Sequence, residues 1–128
     1  LGPWNQHYGE LEVTMLDVGQ GDGILIRTPG RLNYLIDGGS TSEERLAKYT
    51  LEPFLESQRI RTLDYVLVSH GDADHISGIQ EMLERREVGV NIRTLVLPEQ
   101  HLWNEGLECF PVLVLLKNMM RVQEMRHL

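Results

Sequence analysis

The chain has 128 residues, enough for one domain with a hydrophobic core, and a formal net charge of −7 at pH 7. That charge argues against a nonspecific nucleic-acid binder, which normally presents a basic face, but it is compatible with carboxylates that hold cations. The single cysteine, Cys109, excludes an internal disulfide, and no apolar run approaches the roughly 18 residues that span a membrane.

The first part of the chain predicts three short strands. Residues 1–10 show no periodicity and are expected to be a lead-in segment. Residues 11–16 alternate between apolar and polar side chains, which predicts a strand with one buried face. Residues 23–28 and 32–36 predict two further strands, separated by a Pro-Gly turn. The short connections favour an antiparallel meander.

Two glycine-containing segments follow the first and third of these strands. Residues 17–22 contain two glycines, so this loop could either approach a site from the side or form a tight hairpin. In the first case Gln20 and Asp22 are candidate residues on the substrate side. The third strand ends at Asp37, before two glycines that permit close approach to a ligand; a simple Asp-Gly turn is the alternative.

Two short helices are expected next. Residues 42–49 are predicted to form the first, with Ser42 as its cap. Thr50 is predicted to cap the second, and Pro53 is tolerated in the first turn of that helix.

The central motif follows an apolar run at residues 65–68 that predicts a buried strand. Four side chains that can bind a metal come within six positions, namely His70, Asp72, Asp74 and His75. Open α/β sheets bind ligands at the carboxyl ends of their strands. Carboxylates this close repel one another unless a cation lies among them. The motif therefore predicts a metal site, although Asp74 could instead simply cap the following helix.

The remaining elements continue the α/β pattern. Residues 76–86 have apolar side chains at helical spacing, and residues 92–97 predict a strand parallel to the central one. His101, in the polar loop that follows, is either an exposed loop residue or a substrate contact. Residues 107–120 predict a helix that is buried on more than one side, and residues 122–128 the start of another strand.

The run from His70 to His75 resembles the His-x-His-x-Asp-His signature of the metallo-β-lactamase-like hydrolases, with Asp72 in place of the second histidine. Together with Asp-Val-Gly-Gln-Gly-Asp at residues 17–22, this variant resembles the C-terminal domain of the ComEC family of competence proteins. The resemblance implies an α/β fold, the N-terminal half of an αβ/βα sandwich. Residues 11–128 would then be a partial domain with a mixed sheet and helices on one face.

The same resemblance implies roles for the clustered residues. His70 and Asp72 would bind a first metal and Asp74 and His75 a second, with Asp37 supporting the centre. Asp74 and Asp37 are thereby the expected catalytic residues. A carboxylate in place of imidazole shifts the preference from zinc towards manganese or magnesium without excluding zinc. The expected cofactor is a divalent metal, manganese or zinc, with two ions possible.

The function that the resemblance implies is phosphodiester hydrolysis, with DNA as the substrate of the parent protein. That parent would be attached to a membrane, with its membrane-embedded channel portion as a partner of this domain. Spacing alone implies only metal-assisted hydrolysis. Another hydrolase of the superfamily, acting on a small ester or phosphodiester, and a noncatalytic module both stay open.

The second half of the family's domain supplies further histidine and carboxylate ligands, and the residues after His75 do not match them. We therefore expect the chain to be truncated before that half, to bind metal weakly or not at all, and to be inactive alone. We also expect it to self-associate through the apolar surface that the second half would cover.

Overall fold

The computed structural model describes residues 9–69, 71–97 and 121–124, and side chains within the first two of these ranges. Six strands form one sheet in sequence order. They are β1 (Glu12–Met15), β2 (Ile24–Arg27), β3 (Asn33–Ile36), β4 (Thr62–Leu67), β5 (Asn91–Leu97) and β6 (Arg121–Glu124). The pairs β1–β2 and β2–β3 are antiparallel, whereas β3 to β6 pair in parallel. Two reversals of direction make β1 parallel to β3, so the carboxyl ends of β1, β3, β4 and β5 lie at the same edge.

Helices form the two crossovers between β3, β4 and β5. A π-helical turn, Ala47–Leu51, continues into α1 (Glu52–Ser57), and α2 (Ala73–Glu84) joins β4 to β5. Parallel crossovers are right-handed, so both helical segments lie on one face of the sheet, and α2 packs against the π-helical turn. The predicted mixed α/β sheet with helices on one face is confirmed, as is the parallel arrangement of β4 and β5.

The core lies between the sheet and the helices. A continuous row of paired residues crosses four strands, formed by Leu25, Leu35, Val66 and Leu95, and each of them is buried. From the other side, α2 contributes Ile76, Ile79, Met82 and Leu83. Burying a side chain of this size stabilises the fold by about 1.5–3 kcal/mol. This layer fixes α2 against the sheet, and with it the residues at the start of α2.

The first helical segment begins later than predicted. The expected helix at residues 42–49 was to be capped by Ser42, but the chain is not helical until Leu46. The hydroxyl of Ser40 instead accepts the backbone N–H groups of Ser42 and Glu43, each at 3.1 Å, and holds a turn there. The predicted cap at Ser42 is therefore wrong.

The predicted boundary at Thr50 is also wrong, because Thr50 lies within the π-helical turn and the chain stays helical through it. The cap comes from another helix. The carboxylate of Glu81 in α2 accepts the N–H groups of Ala47 and Lys48 at 3.1 and 3.0 Å. Pro53 lies in the first turn of α1, as predicted.

Helix α2 begins at Ala73, three residues before the predicted start at residue 76. Asp72 is its N-cap residue, in an extended conformation with φ −73° and ψ 149°. Asp74 is thus in the first turn, and the alternative that it caps the helix is wrong. Asp74 and His75 are consequently carried on helical backbone.

At the opposite edge of the sheet, α1 and the end of α2 are joined by an ion pair. Arg85 donates two hydrogen bonds through Nε, at 3.2 and 3.1 Å, and one through Nη2, at 2.9 Å, to the buried carboxylate of Glu52. This contact stabilises the helical layer far from the residues that carry the predicted chemistry.

Strand β6 confirms part of the predicted last strand, over residues 122–124. Several predictions lie outside the described residues: those on His70 and His101, the helix at 107–120, the end of the last strand, and residues 1–8. In the portion of the chain that the structure describes, the helices are too short and too polar to cross a membrane.

Candidate metal centre

Three chain segments meet at the carboxyl edge of the sheet. The β1–β2 loop (residues 16–23) carries Asp22, the segment after β3 carries Asp37, and the first turn of α2 carries Asp74 and His75. These segments meet because β1, β3 and β4 run in the same direction, so that whatever follows each strand lies at one edge.

Asp37 fixes the orientation of the His75 ring. Its Oδ2 atom lies 2.9 Å from Nδ1 of His75 and accepts the Ser69 hydroxyl at 2.6 Å, while Oδ1 accepts the Ser69 backbone N–H at 2.8 Å. A carboxylate can only accept hydrogen bonds, so Nδ1 is the donor. The other ring nitrogen, Nε2, lies 3.5 Å from a carboxylate oxygen of Asp22 and 3.5 Å from one of Asp74. Metal-binding histidines are typically held in this way.

The backbone around Asp37 ties the end of β3 to α2. Asp37 has a left-handed φ of +57°, a conformation that Asp adopts more readily than most residues, and its N–H donates to Leu67 O of β4 at 2.8 Å. The N–H of Gly38 donates to His75 O at 2.8 Å, and Gly38 O accepts the Ile79 N–H at 3.0 Å. The Asp37–His75 contact is therefore supported on both sides by backbone hydrogen bonds.

The β1–β2 loop is bonded to both of these segments. The Asp22 N–H donates to Asp74 O at 2.9 Å, and Asp22 O accepts the Gly39 N–H at 3.1 Å. Such close approach needs glycine at two positions. A Cβ atom on Gly21 would collide with Gly39 O, and one on Gly39 would collide with the backbone of α2 at Ala73 and Ile76.

Asp22, Asp74 and His75 form a group that fits a divalent cation. Nε2 of His75 lies 3.5 Å from a carboxylate oxygen of Asp22 and 3.5 Å from one of Asp74. One donor atom from each of the three lies within 4.8 Å of the others. Ligands of one ion with bonds near 2.1 Å are about 3–4 Å apart, so small side-chain movements would close a shell. One imidazole and two carboxylates suit Mn²⁺ or Zn²⁺.

The charges around His75 favour a cation at this point. Burial lowers the pKa of His75, but the hydrogen bond to Asp37 and the negative charges of Asp37, Asp74 and Asp22 outweigh it and raise the pKa above its ordinary value of 6.5. A metal ion would meet the same negative field and would compete with the proton for Nε2. The side chains of Asp22 and Asp74 are 56% and 42% exposed, against 14% for His75, so the outer side of the site is open to solvent.

The structure brings together most of the predicted site residues that it describes. Asp37, Asp74 and His75 are in contact, as the sequence predicts. Gln20 lies in the β1–β2 loop, with its backbone N–H donating to the Ser42 hydroxyl at 2.8 Å. Asp72 is exposed at the start of α2 and, within the described ranges, is not one of the three residues that group around a possible ion.

Sequence reasoning placed Asp22 on the substrate side and missed its place among the possible ligands. The signal was present in the meander. Two antiparallel reversals return β3 to the direction of β1, so the loop after β1 must lie at the same edge as Asp37. Asp22 stands at the end of that loop, directly before a glycine.

The fold agrees with a comparison of the chain with protein families. The model of the metallo-beta-lactamase superfamily matches residues 16–103, more than half of the chain, and the chain belongs to this superfamily.

Two competence proteins are similar in sequence. ComE operon protein 3 of Bacillus subtilis (strain 168) is 35% identical over 103 residues, covering 70% of this chain and 13% of the relative. Competence protein ComA of Neisseria gonorrhoeae is 38% identical over 71 residues, covering 56% of this chain and 10% of the relative. These relatives confirm the resemblance to ComEC-type proteins, and the chain spans only about a tenth of their length. Among solved structures, a diphosphatase from the PhnP family is similar with 17% identity and a TM-score of 0.48, over 84% of this chain and 37% of that one.

Proposed function

We propose that this chain forms part of a metal-dependent phosphodiesterase domain, and that the domain cleaves DNA in a ComEC-type competence protein. The observation that carries the proposal is the arrangement around His75. Its ring is held by Asp37, and its second nitrogen faces the carboxylates of Asp22 and Asp74. Membership of a superfamily that is generally hydrolytic supports the reaction type. DNA as the substrate is what the resemblance to the ComEC family implies, and two competence proteins are similar to this chain.

A divalent cation bound there would lower the pKa of a water molecule and neutralise charge on a phosphoryl oxygen. The chain's own residues supply the geometry. Asp37, only 7% exposed, holds the imidazole in one orientation and acts as a positioning residue. Asp74 is carried by the first turn of α2, so its backbone is fixed by the buried face of that helix. The exposed outer side of Asp22 and Asp74 leaves room for a substrate to approach from solvent.

We propose manganese or zinc as the metal, with Asp72 favouring manganese if a second ion is held by His70 and Asp72. In the intact protein we place the domain beside a membrane-embedded channel portion of the same parent chain, where DNA would reach it. We further propose that the 128-residue chain alone does not hydrolyse DNA, because its residues after His75 do not match the further ligands of the family's site, and that it self-associates, because part of its apolar surface is exposed.

The test is a cleavage assay on the intact protein and on the 128-residue chain, with single-stranded DNA and a series of divalent metals. The intact protein should cleave with Mn²⁺, and Asp74→Ala and His75→Ala should each lower the rate by more than about 100-fold. Glu84→Gln is the matched control, because it removes an exposed carboxylate from the same helix about 15 Å further along it. This control should keep the wild-type rate.

Other outcomes separate the alternatives. Cleavage that persists in EDTA, or in Asp74→Ala, would contradict a metal-dependent mechanism. Hydrolysis of bis(p-nitrophenyl) phosphate without cleavage of DNA would favour a hydrolase of small phosphodiesters. Failure of the intact protein with every substrate and metal would favour a noncatalytic module.

A further inference from the structure

We infer that Asp22 is the third protein ligand of the ion held by Asp74 and His75, so that the β1–β2 loop forms one wall of the metal site. The inference rests on the proposed metal-dependent function and deepens it. It assigns a role in metal binding to a residue whose sequence context indicated only a position on the substrate side.

Asp22 and Asp74 lie equally close to Nε2 of His75. Each carboxylate has an oxygen 3.5 Å from Nε2 of His75. Asp74 is next to His75 in α2, so its closeness follows from the sequence, whereas Asp22 comes from more than fifty residues away. A loop residue reaches this position only because the fold directs it there.

The position of Asp22 is fixed by its backbone. Its N–H and C=O groups bond to Asp74 and Gly39, one in α2 and the other after β3. These are the two segments that carry the rest of the centre. Gly21 and Gly39 leave no room for a side chain at the crossing, so the loop is packed against the site rather than lying over it. Helix α2 and the segment after β3 therefore fix the position of the Asp22 backbone, from which its carboxylate extends.

The charges at the centre also call for a cation. The carboxylates of Asp22, Asp37 and Asp74 all face His75. Within residues 9–69 and 71–97, no Lys or Arg makes an ion pair with any of these three carboxylates. Carboxylates that converge in this way are stabilised by a bound cation. With Asp22 the site has three protein ligands, the number typical of catalytic metal sites. We therefore expect the chain to bind Mn²⁺ measurably, whereas its sequence motif alone, with two ligands for each metal, predicted weak binding or none.

The experiment measures Mn²⁺ binding to the full 128-residue chain by isothermal titration calorimetry, with free Mn²⁺ followed by electron paramagnetic resonance. Asp22→Asn should weaken binding by at least about 10-fold, because it removes a ligand. Asp17→Asn is the matched control, since it makes the same charge change at an exposed residue of the same loop that is not in the group of three. The control should bind like the wild type. Equal binding by Asp22→Asn and Asp17→Asn, or no Mn²⁺ binding by the wild type, would overturn the inference.

Replacing the Asp22 carboxylate by a thiolate gives a spectroscopic signal that would not appear if Asp22 had only a structural role. Asp22→Cys places a soft thiolate at the site, so the preference for Cd²⁺ over Mn²⁺ should rise and a thiolate-to-Cd²⁺ absorption band should appear. Asp17→Cys, with Cys109 present in both variants, should show neither change. Circular dichroism checks folding, which should persist because the fold uses the backbone of Asp22 and its side chain is 56% exposed. A Cd²⁺ response equal to that of Asp17→Cys would refute the assignment.

Failure of this inference differs from failure of the proposed function. If Asp22→Asn loses Mn²⁺ binding but the intact protein cleaves no DNA, Asp22 is a metal ligand and the proposed nuclease function is wrong. Metal-dependent cleavage of DNA together with unchanged Mn²⁺ binding in Asp22→Asn would show the reverse.

Discussion

Replacing Asp37 by asparagine should separate the support of His75 from the metal ligands themselves. In the wild type, the Asp37 carboxylate accepts three hydrogen bonds, two from Ser69 and one from Nδ1 of His75. An amide has one accepting oxygen, and its NH₂ group would face the Nδ1–H donor. The Ser69 hydroxyl can rotate and accept from that NH₂, but the bond to His75 is lost.

The magnitude follows from the bond that is lost. A hydrogen bond to a charged group contributes about 1.5–3 kcal/mol, so Asp37→Asn should lower the free energy of unfolding by about that amount. Urea unfolding in EDTA measures this term without a metal contribution. Mn²⁺ affinity should also fall by about 10–100-fold, because the His75 ring loses the partner that orients it.

Ser69→Ala is the matched control for this prediction. It removes one hydrogen bond to Asp37 but keeps the Asp37–His75 bond, so stability should fall by about 1–2 kcal/mol while Mn²⁺ affinity changes much less. Equal losses of Mn²⁺ affinity in Asp37→Asn and Ser69→Ala would refute the reasoning. So would wild-type affinity in Asp37→Asn.

Three further changes probe the surroundings of the site. Gly39→Ala should destabilise the chain by about 1–3 kcal/mol in urea unfolding and weaken Mn²⁺ binding, because the new Cβ collides with the backbone of α2; Gly30→Ala, in an open turn, should do neither. Glu52→Gln should cost about 1–3 kcal/mol in the same assay but leave Mn²⁺ affinity unchanged, because Glu52 lies at the opposite edge of the sheet; a change in affinity would contradict this separation. In the metal-free chain the raised pKa of His75 means that its stabilising contribution is complete below about pH 6.5 and is lost as the pH rises through the folded-state pKa. Urea unfolding at a series of pH values should show that loss in the wild type, and a His75→Gln variant with the same pH dependence would contradict it.

The strands and their order follow from patterns that are local in the sequence. The alternation at residues 11–16 and the apolar run at 65–68 each lie on a strand. The predicted burial of one face of β1 is wrong, because Leu11, Val13 and Met15 are 64%, 58% and 70% exposed. Thr14 pairs with the buried Leu25, so the apolar residues on either side of Thr14 point to the face of the sheet that the helices do not cover. The helical spacing from Ile76 onwards, between two apolar strands, predicted the parallel crossover correctly. A single sequence is therefore enough to predict these elements.

The start of the first helical segment depends on one local contact and on one that is distant in the sequence. Ser42 and Thr50 have the chemistry of caps, but the hydroxyl of Ser40 holds the preceding turn and Glu81 of α2 caps the π-helical turn. Glu81 is more than thirty residues from the N–H groups that it accepts. No local pattern reveals such a partner.

The site was predictable to the extent that its residues follow strands. Asp37 and His75 were expected to meet because both come after strands at one edge, and their atoms lie 2.9 Å apart. Asp22 needed the further step of following strand direction through the meander. Asp72 is the N-cap residue of α2 and does not belong to the described donor group. The spacing of the motif did not reveal that α2 begins at Ala73.

The central claim is that this edge of the sheet binds a divalent cation through Asp22, Asp74 and His75. The most direct measurement is a crystal structure of the chain with Mn²⁺, with anomalous diffraction recorded at the manganese edge. We expect one anomalous peak about 2.0–2.2 Å from Nε2 of His75 and from a carboxylate oxygen of both Asp22 and Asp74, with Asp37 still bonded to Nδ1. A peak bound elsewhere, or no peak at this edge at saturating Mn²⁺, would contradict the account.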